Sequence, residues 1–266
     1  MSVATTGMSR GLTVRGERVA RVAAPIVVGI LLLVAWQLLS GVQTGRLPLV
    51  PAPAAVFEQL VSRWDLILDN ALITGGNALV GLIGGAILAI VLAGVAAWVR
   101  AVDGMLAPLV VGLAVIPIVA LAPVLYAMFG LSAQTARQIV AGVAAFVPVF
   151  VNVLSGLRQT SAVQRDLFRA SAATGAQTFR KLTLPVALPS LLTGLRLASA
   201  LAVIAALVAE YFGGPANGLG TAIASYAKTG ASALAFASVL AAISVGLVFF
   251  LVTVLLERLV TWRRPG

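Results

Sequence analysis

Residues 158–196 read RQTSAVQRDLFRASAATGAQTFRKLTLPVALPSLLTGLR, a polar and basic excursion between two long apolar runs, and its placement decides the fold. Before it, Ile139 to Leu157 carries no charge; after it, an apolar run extends from about Leu191 to Ala209, with Arg196 one turn inside and able to snorkel. Uncharged runs of about 18 residues or more mark membrane-spanning helices. An excursion this long between two spans, with Pro185 and Pro189 at its exit, is expected to be a folded element outside the bilayer that touches another protein.

Working outward, the whole chain has the composition of an integral membrane protein: 61% hydrophobic and 10% charged residues, a mean hydropathy of +1.08, against roughly 25% charged in soluble domains. Strand-like alternation is absent, which argues against a barrel. No cysteine or histidine occurs, which removes thiolate metal sites, disulfides, the commonest metal ligand and the usual general base near neutral pH. The net charge of +10 raises nucleic acid as a partner, and the distribution of that charge decides the matter.

Six spans are expected. A basic start, residues 1–21, precedes a first span over 22–40. The same layout fits a signal peptide with APAA near Ala52 as a cleavage site, but the run is longer than a usual apolar region of that kind and more spans follow. Residues 41–70 hold Pro48, Pro51 and Pro53 and then VFEQLVSRWDLILDNAL, whose Phe57, Leu60, Val61, Trp64 and Ile67 recur at helical spacing. They read as an extended link and an amphipathic helix on the membrane surface, or a soluble connecting helix. The membrane core, 71–260, then carries a glycine-rich second span (Ala71 to Val99), a third (Gly104 to Phe129) bent by Pro108, Pro117 and Pro123, and a polar turn with Arg137. The fourth span holds Pro148 and Asn152, the excursion occupies 158–189, and the fifth span ends at Glu210. The loop YFGGPANGLG, with Gly213, Gly214, Gly218 and Gly220, implies irregular backbone, and Ser232 to Leu256 is the sixth span, followed by a tail at 261–266.

Six spans put both termini on one side. That side holds fourteen of the eighteen Lys and Arg and four of the eight Asp and Glu, net +10, while the other side is neutral. Positive charge gathers on cytoplasmic loops. The basic composition is thereby explained without nucleic acid, both termini are expected in the cytoplasm, and the excursion becomes the longest cytoplasmic loop.

Within that loop, Asp166 to Ala176 consists of good helix formers and is expected to end at Gly175; TFRKLTL makes a second short amphipathic piece stopped by Pro185. Phe168 and Phe179 would be apolar anchors, with Arg165, Arg169, Arg180 and Lys181 around them. Gly175→Pro is expected to break the knob. A solvated basic loop held by anionic lipid headgroups is the plainer alternative.

The loop resembles the EAA loop of ATP-binding-cassette importer permeases, which runs from an acidic residue through alanines to a glycine and then to a Leu-Pro pair. Aligned without gaps on Leu184 and Pro185, Asp166 takes the glutamate position, Leu167 and Phe168 the alanines and Ala172 the glycine. A register shifted by three, with a deletion, puts Arg169 at the glutamate, Ala170 and Ser171 at the alanines and Gly175 at the glycine. From about Leu47 to Trp262 further stretches are similar to nitrate, sulfonate and taurine importer permeases: the proline-rich link, APVLYAMFG (122–130), FVPVFVNVLSGLR (146–158), PVALPSLLTGLRLA (185–198) and AEYFGG with GLG (209–220). The last form also looks like relatives for pyrimidine precursors or riboflavin.

The resemblance implies an all-α fold of six transmembrane helices with a cytoplasmic coupling-helix loop between spans four and five, in a bacterial inner membrane. It implies ATPase subunits that bind ATP and Mg outside this chain, an extracytoplasmic solute-binding protein, and a second permease subunit, in the simplest case an identical one. Asp166, Phe168, Arg169, Ala170, Ala172, Gly175, Phe179, Leu184 and Pro185 would meet the ATPase. Pro117, Pro123, Asn152, Glu210, Tyr211, Gly218 and Gly220 would line the path or its outer mouth. No GxxxxGK[ST] pattern is present, since the only lysines are Lys181 and Lys228, so ATP is expected to be hydrolysed by another chain. A carrier or channel working alone is the second reading; the absence of a mid-span Asp, Glu or Lys counts against ion coupling. A membrane enzyme lacks its constellation of groups, and no metal site or cofactor is expected in this chain.

Overall fold

The computed structural model describes residues 9–262 except 42, 45, 46 and 49. Residues 1–8 of the basic start expected over 1–21, and most of the tail at 261–266, lie outside the described residues. The chain divides into two compact units, residues 1–62 and 63–266.

In the first unit, α1 (Ser9–Ser40) includes an apolar stretch, Ala23–Ser40, long enough to cross a membrane. A two-residue pair, β1 (Gln43–Thr44) and β2 (Leu47–Pro48), leads to α2 (Pro53–Ser62). Trp36 Nε1 donates to the Pro51 carbonyl at 3.0 Å, which ties the proline-rich link back to α1. The surface helix expected to run through Trp64 and Ile67 ends at Ser62, because Arg63 leaves helical geometry at φ −114°, ψ 25°.

The second unit begins with α3 (Trp64–Trp98), so Trp64 and Ile67 belong to the second spanning helix. It continues through α4 (Arg100–Val115), α5 (Ile118–Phe129), α6 (Thr135–Arg158), α7 (Ala162–Ala170), α8 (Gly175–Thr178), a π-helical turn (Phe179–Thr183), α9 (Leu184–Phe212), α10 (Leu219–Thr229) and α11 (Ser232–Trp262). Among the described residues five helical stretches can cross a membrane, or six if α4 and α5 count as one broken span. The third span is thus not a single bent helix. α4 and α5 meet at 103°, because Pro117 cannot donate to the preceding turn and Ile116 before it takes an extended ψ of 125°.

The core lies between α3, α6 and α9 and is built from small residues: Ala78, Ala86, Ala89, Ala141, Ala145, Ala198, Ala202 and Ala206 are buried around Val149, Val203, Phe146 and Phe150. Lipid tails are as apolar as leucine, so spanning helices associate by close packing, and small side chains allow it. α3 and α6 touch backbone to backbone: a Cβ built on Gly85 would collide with the Gly142 carbonyl. Larger apolar side chains, such as Leu79, Ile83, Ile87 and Val91 on α3, face outward.

Charged contacts tie the end of this unit nearest α7. Arg158 pairs with Asp103 at 2.9 Å, and Arg196 pairs with Glu257 at 2.8 Å. Arg196 therefore meets a carboxylate on α11, where the sequence suggested a snorkelling side chain. Asn152, expected to bond between helices or line a path, donates from Nδ2 to the Pro148 carbonyl of its own helix at 2.8 Å.

Candidate functional site: the α7–α8 protrusion and a buried charge cluster

The excursion folds into two capped pieces. Ser161 caps α7: its Oγ accepts from Gln164 N–H, while the Gln164 side chain accepts from Ser161 N–H. Thr174 and Gln177 repeat the arrangement at α8. Each box satisfies two orphan donors at a helix start, so the corner is fixed by its own side chains. α7 ends at Ala170, and Ala172 turns the chain at φ +51°, a left-handed conformation unusual for alanine.

Two expectations about this loop are overturned. Gly175 does not end a helix; it is the first residue of α8 behind the Thr174 cap. Nor does Pro185 stop the second piece, since residues 175–212 form one helical stretch. Leu184 N–H reaches back to the Phe179 carbonyl in the π turn, which lets the chain pass the donor missing at Pro185.

On α7, Asp166 pairs with Arg169 at 3.2 Å in the open. Phe168 is half-buried, whereas Val163 (78% exposed) and Leu167 (65%) present an apolar edge one turn apart. Phe179, expected as an outward anchor, is half-buried and meets Trp98 of α3 edge-on, centroids 6.2 Å apart. Leu184 is exposed and Pro185 partly so. Sequence reasoning missed Val163 and Leu167 as the exposed edge, although their spacing of four was visible.

At the other end of α6 lies a cluster the sequence did not disclose. Arg137, expected in an open turn, is in α6 and fully buried; Glu210, expected as an edge charge, is 1% exposed, with α9 continuing to Phe212. Arg137 Nη1 and Glu210 Oε1 are 3.8 Å apart. The Glu210 carboxylate accepts from Thr74 Oγ1 (2.7 Å) and Gly220 N–H (3.0 Å), and Tyr126 Oη donates to the Ala209 carbonyl. Gly218 at φ +88° lies so near the Glu210 carboxylate that a Cβ would fall 2.6 Å from it, so glycine alone fits there. The structure thus brings Glu210, Gly218 and Gly220 together. Pro117 forms the elbow before α5, Pro123 lies within α5, and Tyr211 is exposed. A helical spacing from Arg137 to Gln134 was readable, but nothing in one sequence pairs Arg137 with a residue 73 positions away.

The family model for the binding-protein-dependent transport system inner membrane component matches residues 67–263, most of the second unit. The chain belongs to that family. The permease is 33% identical over 190 residues to the formylaminopyrimidine transport permease protein ThiX of Halalkalibacterium halodurans, covering 71% of this chain and 75% of that one. It is 33% identical over 241 residues to the riboflavin transport system permease protein RibX of Chloroflexus aurantiacus, covering 87% of each. A chain of the MetNI methionine ABC transporter shares the fold, with a TM-score of 0.61 at 21% identity, over 75% of this permease and 98% of that chain. The chain is therefore a multi-pass permease subunit of an ABC importer, a family in which the ATPase is a separate subunit. Family membership makes the assignment against a carrier working alone; Glu210 is buried, but it lies at the end of α9 and not in mid-span.

Proposed function

We propose that the permease works as an identical pair whose α7 edge seats in a groove of the ATPase, with both termini and that edge in the cytoplasm and the Glu210 end facing a solute-binding protein. The observation that carries this reading is the protrusion itself: a doubly capped corner that displays Val163 and Leu167 with no cover among the described residues. Apolar side chains ringed by charge, here Asp166, Arg165 and Arg169, fit the centre of a docking surface. The charge asymmetry across the six spans supports the orientation.

ATP and Mg belong to the ATPase in this arrangement, and this chain supplies a gated path that closes and opens as the protrusion is moved. The ungapped register of the coupling loop gains support from Ala172, whose left-handed turn falls where the resembled pattern has glycine. The substrates for which ThiX and RibX are named favour a small heterocyclic nutrient as cargo.

Leu167→Asp tests the docking edge. Co-purification with the ATPase should fall about tenfold or more, while thermal unfolding of the permease in detergent stays unchanged; undiminished co-purification refutes the seat. In liposomes the complete assembly should concentrate solute only with ATP, and concentrative uptake by this chain alone would refute the importer reading.

A further inference from the structure

A buried arginine has five N–H donors to satisfy, and where Arg137 sends them is informative. Nε donates to Tyr126 Oη (3.3 Å), and Nη1 to Gln134 Oε1 (3.1 Å) and Asn217 Oδ1 (2.9 Å). Nη2 donates to the Pro215 carbonyl (2.7 Å) and Thr221 Oγ1 (3.2 Å). None of these acceptors is Glu210. An arginine placed to neutralise a carboxylate adopts a two-pronged hydrogen-bonded pair, yet here the two charges stay 3.8 Å apart and Glu210 Oε1 accepts no hydrogen bond.

Both charges turn instead toward the linker after α9 and the first turn of α10. Arg137 holds Pro215, Asn217 and Thr221; Glu210 holds Gly220 N–H; Thr74 accepts from Leu219 N–H at 2.9 Å, and Asn70 accepts from Gly218 N–H at 2.7 Å. α3, α6 and α9 thus grip the same short segment at Pro215 and at Asn217 to Thr221. The linker Gly213–Gly218, with positive φ at Gly213, Gly214 and Gly218, lies between the end of α9 and the start of α10 and has no helical ladder of its own, so its shape is set from outside. The planar guanidinium reaches three separated acceptors on it at once, which the point charge of a lysine cannot do.

We propose that Arg137 is a positioning residue: it fixes Gly213–Gly218 as a preformed seat for the solute-loaded binding protein. The inference rests on the proposed orientation, in which this end of the bundle is the outer one. A seat held rigid before contact loses less ordering entropy on binding.

The test uses the permease assembled with its ATPase in nanodiscs, and its cognate solute-binding protein, purified with the solute it carries. Two quantities are read: amide exchange over residues 215–221, and ATPase rate against binding-protein concentration. Arg137→Lys keeps the charge and loses the fork. It should speed exchange there about tenfold and raise the half-saturating binding-protein concentration by about the same factor, while the rate at saturation changes little. Arg137→Gln with Glu210→Gln removes both buried charges and guards against a variant that merely fails to fold. Thermal unfolding should return close to the parent's, with exchange and half-saturation still impaired.

Recovery of both quantities in the double variant overturns the proposal, because Arg137 would then only neutralise Glu210. Unchanged exchange in Arg137→Lys also overturns it, and faster exchange with unchanged half-saturation overturns the seat. A parent assembly that shows no response to the binding protein refutes the importer orientation itself; exchange then still decides whether Arg137 holds the segment.

Discussion

Trp98, the last residue of α3, meets Phe179 edge-on with ring centroids 6.2 Å apart, and this contact joins a spanning helix to the base of the α7–α8 protrusion. Both rings lie at the end of the unit where Arg158 pairs with Asp103. Phe179→Ala should cost about 1–2 kcal/mol, less than the roughly 3–5 of a fully buried phenylalanine, read as a lower melting temperature in detergent. ATPase binding should weaken far less than in Leu167→Asp, since Phe179 props the protrusion without forming its exposed edge.

Gly175→Pro separates the expected from the observed loop. At the first position of a helix proline needs no donor and its φ is already suitable; Thr174 before it has ψ 158°, the conformation a following proline demands, and a Cβ at 175 meets nothing within 4 Å. The variant should be neutral or gain about 0.5 kcal/mol. Thr174→Ala, which removes one half of the capping box, should lose about 1 kcal/mol. Thermal unfolding of the two side by side checks the order.

Ala172→Gly should stabilise the permease by about 1 kcal/mol, because alanine at φ +51° bears the steric cost that glycine avoids. A melting temperature unchanged or lowered would show that the turn is not left-handed in the folded protein.

Adjacent glycines on α3 should behave oppositely. Gly85→Ala drives a methyl group into the Gly142 backbone and should cost about 1–3 kcal/mol or more, whereas nothing lies within 4 Å of a Cβ at Gly84, so Gly84→Ala should be near neutral. Unfolding in detergent, or the fraction that inserts and stays monodisperse, distinguishes them.

The spanning helices were legible because length and apolarity alone define them: α6, α9 and α11 enclose the runs read from the sequence. The protrusion was legible as an element between the fourth and fifth spans, and its ends were not. Thr174 capping and the π turn before Pro185 are decided by local hydrogen bonds that residue type merely permits. Glycine read as a stop and proline read as a stop both followed average tendencies; here Gly175 opens a helix, and Pro185 sits where the π turn passes into α9. The charge cluster was illegible for a different reason. Arg137 and Glu210 each look like loop-edge charges along the chain, and only the antiparallel packing of α6 on α9 turns them inward together. The elbow between α4 and α5 was half legible, since Pro117 marks a bend without giving its size.

Because the helical stretch from Gly175 runs unbroken to Phe212, the Phe179 contact and the Glu210 cluster are mounted on one continuous shaft, about 45 Å apart along its axis. A tilt applied at the lower bearing passes the π turn, Pro185 and Pro189, the points where such a shaft bends most easily, and then runs through regular helix to the upper one. Signals between the two faces of the permease therefore have a mechanical route that needs no relay of side-chain switches.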